Sequence, residues 1–141
     1  MIYVIEKDFD RQLELLVFLA SIGNYSFCGW LYPESKISTY SGHSITSNPK
    51  SLIPVTTYGD DHKPKCTETI SATKNSIIEF CASKAAIKQH FDCLAMYKPG
   101  ENSWSVATIG HEGIGLVKDD NLLIKITDAG FVASLQAPEW W

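Results

Sequence analysis

Apolar and polar positions along the first third of the chain follow the period of a strand and then that of a helix. Residues 1–5 are mostly aliphatic, β-branched and aromatic, which favours a strand. Residues 11–22 repeat apolar side chains every three or four positions, which predicts a helix that is covered on more than one side. Asp8 precedes this segment, and we expect its side chain to cap the helix N-terminus.

The residues after this helix carry turn and strand signals. Gly23 and Asn24 are residue types that end helices in the left-handed conformation, so we expect the helix to stop there. Residues 25–31 alternate enough to predict a second strand, in which Gly29 favours a β-bulge.

The second half of the chain begins with a helix and a hairpin. Residues 73–91 carry two apolar ribbons and predict one long helix. Residues 93–97 and 104–109 predict an antiparallel hairpin, because a turn that contains Pro and Gly separates two apolar runs. Residues 114–117 predict a further short strand.

The C-terminal segment repeats the same order of elements. Residues 119–129 predict a helix with Asp119 or Asp120 as its cap and Gly130 as its end. Residues 131–135 then predict a final strand. Taken together, the elements predict an α+β fold in which a mostly antiparallel sheet packs with about three helices. We expect residues 1–141 to form one domain.

The middle of the chain differs in composition. Residues 32–71 are dominated by Ser, Thr, Pro and Gly, and their apolar residues come in short groups. This predicts an irregular polar excursion with edge strands, because long connections in compact domains usually carry function or edge structure. Residues 52–58 are the best strand candidate, and Pro54 favours a position at the sheet edge.

Composition and charge narrow the classes of function. The chain is 45% apolar and 20% charged, as in globular proteins. The net charge is −4 and the 12 basic residues are scattered, so we expect no nucleic-acid partner. The sequence shows no secretion signal and no apolar run that could span a membrane, so we expect a cytoplasmic protein without membrane association. We expect its cysteines to be free thiols in that compartment: Cys28, Cys66, Cys81 and Cys93.

A glycine-rich loop at residues 110–115 is the first candidate for chemistry. His111 and Glu112 in this loop could form an acid–base pair, because histidine titrates near neutrality. The glycine spacing does not match a phosphate-binding loop, since residues 116–118 precede the next helix. The alternative is structural, because glycines beside a hairpin also permit a bulge or a tight connection.

A zinc site is the second candidate. Three residues separate His62 from Cys66, and two separate His90 from Cys93. Neutral imidazole and thiolate suit tetrahedral zinc. The spacing does not repeat one pair type, and a cysteine within an apolar strand is commonly a core residue. We therefore expect no metal and no cofactor, with these four residues as the candidates if zinc binds.

A cysteine nucleophile is the third candidate. Cys28 follows a helix–strand turn, and His43, His62 or His111 could act as its base. Cys28 follows a helix end rather than a helix start, so the helix dipole does not activate it. A role in the core is the alternative.

Two classes of function follow. The first is a non-enzymatic protein that binds another protein, such as an inhibitor, an immunity protein or an anti-defence factor of a bacterium or phage. A mildly acidic surface steers basic partners. We expect the contact surface in the polar excursion, with Asp60 and Asp61 as charges and Tyr40 and Tyr58 as anchors. The alternative is a small enzyme that uses the cysteine or the His–Glu loop described above.

The chain closes with a pair of tryptophans. Trp140 and Trp141 are large apolar rings that must either pack back onto the body or meet a partner. We expect them to pack back, and a partner contact is the alternative.

Overall fold

The computed structural model describes residues 1–49, 52–54 and 63–141. In these ranges ten strands form one sheet, in which every neighbouring pair is antiparallel. Four α-helices accompany the sheet. The α+β class and the antiparallel sheet predicted from the sequence are therefore confirmed, in a single domain.

The elements have the following bounds. The strands are β1 (Ile2–Ile5), β2 (Ser26–Leu31), β3 (Thr39–Tyr40), β4 (His43–Ser47), β5 (Lys65–Thr67), β6 (Ile70–Ser71), β7 (Phe91–Tyr97), β8 (Val106–Ile109), β9 (Ile114–Val117) and β10 (Ala133–Ser134). The helices are α1 (Phe9–Ile22), α2 (Lys74–Phe80), α3 (Lys84–His90) and α4 (Leu123–Asp128), and a 3-10 turn at Asp120–Leu122 precedes α4. The strand order is β10-β1-β9-β8-β7-β2-β5-β4-β3, and β6 also pairs with β2.

Helix α1 begins as the sequence predicts and ends differently. The Asp8 carboxylate accepts a hydrogen bond from the Asp10 amide at 3.0 Å, which confirms Asp8 as the N-cap. Gly23 has a φ of −139°, so it is extended and the predicted left-handed ending is wrong. Glycine is required there for space, because a Cβ atom at this position would lie 2.4 Å from the Tyr25 ring.

The predicted single helix over residues 73–91 is two helices. Thr73 starts α2 with a reciprocal capping box to Ser76. The chain then leaves the helix at Cys81, and Ser83 starts α3 by accepting a hydrogen bond from the Ala86 amide at 3.2 Å. A serine side chain competes with the helical backbone for such bonds, so it favours a cap over a helix interior.

The sheet carries an apolar layer on each side. The helix face is the side that carries Val4, Phe27 and Met96, and the side chains of the helices pack against it. The second face is the opposite side, which carries Cys28 and Trp30 because side chains alternate along a strand. Its cover comes from partly buried apolar side chains: Tyr3, Leu52, Ile53 and Trp104.

The sheet has a β-bulge on β7, whereas the sequence suggests one at Gly29 on β2. Trp30 pairs with Cys93 and Leu31 pairs with Phe91, so Asp92 is the extra residue on β7. Gly29 itself pairs regularly with β7, and the predicted bulge at Gly29 is wrong. A Cβ atom at Gly29 would lie 2.6 Å from the ring of Phe91, so this glycine allows the bulged strand to approach β2.

The polar excursion extends the sheet at one edge. β5, β4 and β3 continue it beyond β2, which agrees with the predicted edge strands. Residues 52–54 are not in a strand, so the predicted strand over residues 52–58 does not begin there. The rest of that segment lies outside the described residues.

The other edge is formed by β10, which is shorter than predicted. Gly130 ends α4 with a φ of +95°, as expected for a left-handed C-terminal glycine. The Phe131 amide still bonds to the Ile126 carbonyl, so residue 131 belongs to the end of the helix and not to the strand. Ala133 and Ser134 pair with β1, and the Val132 carbonyl accepts a hydrogen bond from the Ile5 amide at 2.9 Å. None of the helices in the described ranges is long and apolar enough to cross a membrane.

Candidate functional site

Asp92 is a charged residue inside the apolar layer of the helix face. All seven positions of β7 are buried, and the Asp92 side chain has 0% exposed surface. A buried carboxylate is costly unless charged or polar partners compensate it. The bulge at this position turns the side chain of Asp92, together with the ring of Phe91, towards the helices.

His111 supplies the compensating group from the neighbouring hairpin. Ile109 pairs with Ile114, so residues 110–113 form a tight loop between β8 and β9. Gly113 has a φ of +66°, which only a glycine adopts without strain. The loop brings His111 Nδ1 to 3.0 Å from Asp92 Oδ1. The glycine-rich segment is thus a tight connection that also places a predicted site residue.

The buried carboxylate favours one tautomer of His111. An ionised carboxylate can only accept hydrogen bonds, so its Oδ1 at 3.0 Å from Nδ1 favours the tautomer with the proton on Nδ1. The other nitrogen, Nε2, lies 3.4 Å from Glu112 Oε1. A carboxylate, an oriented imidazole and a half-exposed acid are the parts that general acid–base catalysis uses.

A cavity of about 310 Å³ lies beside this pair. That size is typical of small-molecule sites. Its wall is built from α1, α3, β7 and the β8–β9 loop, and it combines apolar and polar side chains: Lys7, Phe9, Gln12, Tyr32, Ile87, Lys88, Phe91, Asp92, Cys93, Leu94, Thr108, Gly110 and His111. Tyr32 lies near the imidazole, with 6.3 Å between ring centroids, and burial and then the charge of Asp92 raise its pKa.

The cavity has the opposite charge to the chain as a whole. Lys7 and Lys88 line it, and neither forms an ion pair with a carboxylate of the described residues. The Asp92 charge is matched by His111 when the imidazole is protonated. Two ammonium groups therefore remain in the wall of a protein with net charge −4. This arrangement favours an anion.

Three thiols form a second polar group on the second face of the sheet. Cys66 and Cys93 both pair with Trp30, and Cys28 lies two residues before Trp30 on the same face. The Trp30 indole donates to the Tyr97 hydroxyl at 2.9 Å. Cys28 and Cys66, but not Cys93, line a cavity of about 250 Å³ beside the turn at residues 98–102.

The three thiols differ in pKa because their surroundings differ. A hydrogen bond to Cys66 and then burial raise the pKa of Cys28 well above its usual value. Burial raises the pKa of Cys93 in the same way. Hydrogen bonds from Cys28 and Asn48 lower the pKa of Cys66 although the residue is buried. Cys66 is therefore the thiol with the most thiolate character, whereas Cys28, the predicted nucleophile, stays protonated at neutral pH.

The zinc hypothesis concerns residues that are only partly described. Cys66 and Cys93 share a face of the sheet, and His90 Nδ1 lies 3.0 Å from the Ser35 hydroxyl. No group of three or more potential ligands occurs among the described residues. His62 lies outside them, so the expectation of no metal and the four-residue zinc alternative both stay untested.

The residues predicted for partner binding also fall in two groups. Tyr40 is half-buried, its ring contacts Phe80 and Phe91, and its hydroxyl donates to the Phe80 carbonyl at 3.1 Å. Tyr40 thus has an internal role, and its part in partner binding stays a prediction. Three other predicted contact residues lie outside the described ranges: Tyr58, Asp60 and Asp61.

Exposed apolar side chains are concentrated in the last part of the chain. Ile124 is 72% exposed and Val132 is 65% exposed. Leu135 and both C-terminal tryptophans are about half exposed. Trp140 and Trp141 contact each other edge to face, with 6.5 Å between ring centroids. Because both rings are about half exposed, the expectation that they pack back onto the body is only partly met.

Sequence reasoning missed Asp92, Lys7 and Lys88. Asp92 carries a readable signal, because it is the one charged residue within a buried strand of seven. The lysines carry none, since their approach depends on the packing of α1 and α3 against the sheet. Comparisons of the chain with protein-family models, curated proteins and solved structures gave no match. Function is therefore inferred from the geometry and chemistry of these side chains.

Proposed function

We propose that the cavity beside His111 binds a small organic anion and that His111 transfers a proton to or from it. The observation that carries this proposal is the contact of 3.0 Å between His111 and the fully buried Asp92, at the wall of a cavity that two lysines also line. Buried acid–imidazole pairs in clefts are typical of functional sites.

The roles of the residues follow from their positions. Asp92 orients the imidazole and stabilises its protonated form. Lys7 and Lys88 attract the anionic group of the ligand, and the apolar wall contacts its carbon part. Glu112, which is half exposed and 3.4 Å from Nε2, exchanges protons between His111 and the solvent. The reaction class is proton transfer, in which His111 gives a proton to the bound anion or takes one from it.

An NMR titration with benzoate and with inorganic phosphate tests binding. We expect benzoate to shift the amide signals of Thr108, Gly110 and His111, because it offers both a carboxylate and an apolar ring. The K7A/K88A variant should bind at least about tenfold more weakly, as the loss of roughly 1.4 kcal/mol of attraction implies. The K74A/K125A variant is the matched control, since both lysines are exposed and lie outside the cavity wall.

Other outcomes of this titration contradict the proposal. Shifts confined to other parts of the sheet, or equal affinity in K7A/K88A and K74A/K125A, would show that the cavity does not select anions. The imidazole is tested separately by ¹⁵N NMR. Neutral His111 should carry its proton on Nδ1 in the native protein and on Nε2 in D92A. An Nε2-protonated ring in the native protein would remove the role of Asp92.

A second candidate function is the binding of another protein, as an inhibitor or immunity protein does. It is supported by the concentration of exposed aliphatic and indole side chains on α4, β10 and the C-terminal residues. Exposed apolar surface of this kind marks interaction sites, and tryptophan is a favoured anchor. A cytoplasmic location is part of this proposal and is supported by the four free cysteines.

Affinity capture with matched variants tests the second candidate. A partner held by the native protein and by D60N/D61N, but lost from W140S/W141S, would identify the C-terminal surface. Loss from D60N/D61N alone would identify the polar excursion instead. Equal capture by all three proteins, or no stoichiometric partner, would contradict both surfaces. W140S/W141S should show native unfolding behaviour, because both rings are about half exposed, and the unfolding of D60N/D61N is measured beside it.

A further inference from the structure

Two of the three thiols on the second face of the sheet, Cys28 and Cys66, line one cavity and affect each other's pKa. The Asn48 amide donates a hydrogen bond to the Cys66 sulfur at 3.0 Å. Both cysteines line the cavity of about 250 Å³ beside residues 98–102, so a small reagent in that cavity meets both sulfurs. The acid–base cavity on the helix face uses neither residue.

The strand pairing places these cysteines at diagonal positions on one face of the sheet. Cys66 pairs with Trp30, and Cys28 lies two positions along the same strand, so both side chains leave the sheet on one face. Diagonal neighbours on adjacent strands lie about 7–8 Å apart, whereas a disulfide joins Cα atoms about 4.4–6.8 Å apart. Closing the link therefore requires the three-residue strand β5 to move slightly towards β2.

We infer that Cys66 is a hydroperoxide-reactive thiol and that Cys28 resolves it into a disulfide that joins β2 to β5. In the first step the Cys66 thiolate attacks the distal oxygen of a hydroperoxide, the O–O bond breaks, and Cys66 sulfenic acid forms with release of an alkoxide or hydroxide that takes up a proton. In the second step the Cys28 sulfur attacks the Cys66 sulfur, the S–O bond breaks, and water leaves with the Cys28 proton. The two thiols lose two electrons, and the hydroperoxide gains them.

The two partners of the Cys66 sulfur have separate roles. Asn48 and Cys28 both donate to it, which favours the thiolate and lowers its pKa. Cys28 keeps its proton until the second step, because its own pKa is raised. Asn48 is a positioning residue that acts through Cys66. A thiol donor for the reverse reaction is present in any reducing compartment, so the link is reversible.

Mass spectrometry after treatment with hydrogen peroxide tests the inference. The native protein should lose two hydrogens, and digestion should give one linked pair of peptides that contain Cys28 and Cys66. C28S should instead gain one oxygen at Cys66 that dimedone traps. C66S should show neither product at the same peroxide concentration. C81S is the matched control and should behave as the native protein does, because Cys81 belongs to the helix-face core.

A pH profile separates the role of Asn48 from general packing. The rate of Cys66 oxidation in N48A should reach half of its maximum at a higher pH than in the native protein, while the maximal rate at alkaline pH is unchanged. Three results would overturn the inference: a disulfide that includes Cys81 or Cys93, equal oxidation rates for all four thiols, or a C66S variant that is oxidised at Cys28 as fast as the native protein.

Discussion

The Asp92 carboxylate has no exposed surface and is stabilised by an ion pair with the imidazole of His111, whose Nδ1 lies 3.0 Å from Oδ1. The sequence allows His111 and Glu112 to be identified as candidates, since they lie in a glycine-rich loop after a predicted strand. Their partner Asp92 is not identified from the sequence, because a strand pattern does not show where a bulge turns one side chain. The bulge exists only once β2 and β7 are paired.

Gly29 must be a glycine because two aromatic rings leave no space for a side chain there. A Cβ atom there would lie 2.6 and 2.7 Å from two atoms of the Phe91 ring and 3.1 Å from the Phe80 ring. We expect G29A to lower the free energy of unfolding by about 1–3 kcal/mol, because overpacking forces rings out of their rotamers. Urea unfolding monitored by circular dichroism measures this loss.

Gly110 supplies the control for that substitution. A Cβ atom at Gly110 meets nothing within 4 Å, so G110A should change the free energy of unfolding by less than about 0.5 kcal/mol. Equal stability of G29A and the native protein would show that the Phe80 and Phe91 rings move aside freely, and the packing reason given for the regular pairing at Gly29 would then fail.

At the scale of elements, periodicity predicted the existence of most helices and strands, whereas their boundaries depended on caps. Asp8 and Gly130 are local signals that were read correctly, since a cap needs only neighbouring residues. The break between α2 and α3 was missed because both apolar ribbons continue through it. Ser83 was the available signal, a cap residue in the middle of a predicted helix.

Ser83 is therefore expected to determine the start of α3. S83A should lower the free energy of unfolding by about 1 kcal/mol, because the Ala86 amide loses the acceptor at 3.2 Å. Hydrogen exchange should accelerate at the Ala86 amide more than at the amides of α2. S38A, an exposed serine outside any helix, is the control. If S83A and S38A exchange alike, the cap contributes nothing to α3.

At the scale of the whole molecule, two apolar layers hold several groups that stay neutral to a higher pH in the folded state than in the unfolded state. Burial raises the pKa of Cys81 to about 12 from an ordinary 9.0. Tyr97, which is hydrogen-bonded between Trp30 and Leu52, has a pKa raised mainly by burial. Such groups bind protons more tightly in the folded state than in the unfolded state.

Folding stability should therefore decline at alkaline pH. Above pH 9 the unfolded Cys81 loses its proton while the folded one keeps it, so the free energy of unfolding falls as pH rises towards 12. Each such group contributes a slope of at most about 1.4 kcal/mol per pH unit. C81A should reduce the slope between pH 9 and 11, as measured by urea unfolding at each pH.

Cys66 provides a variant with the opposite sign. Its folded pKa is lowered, so it adds stability as pH rises through the folded value towards the unfolded one. C66A should therefore lose that gain just below pH 9, while C81A retains it. A slope that is the same in C81A and the native protein would mean that Cys81 has the same pKa in the folded and unfolded states.

The first strand pairs only with the end of the chain. Ile2 lies opposite Val117, and Tyr3 lies between Leu116 and Ser134. During synthesis the ribosome therefore releases β1 long before β9 and β10 are made. The apolar side chains of β1 have no sheet to pack in during that time. Sequence-distant pairing of this kind slows folding. β1 is consequently expected to join its native sheet only after residues 114–134 have been synthesised.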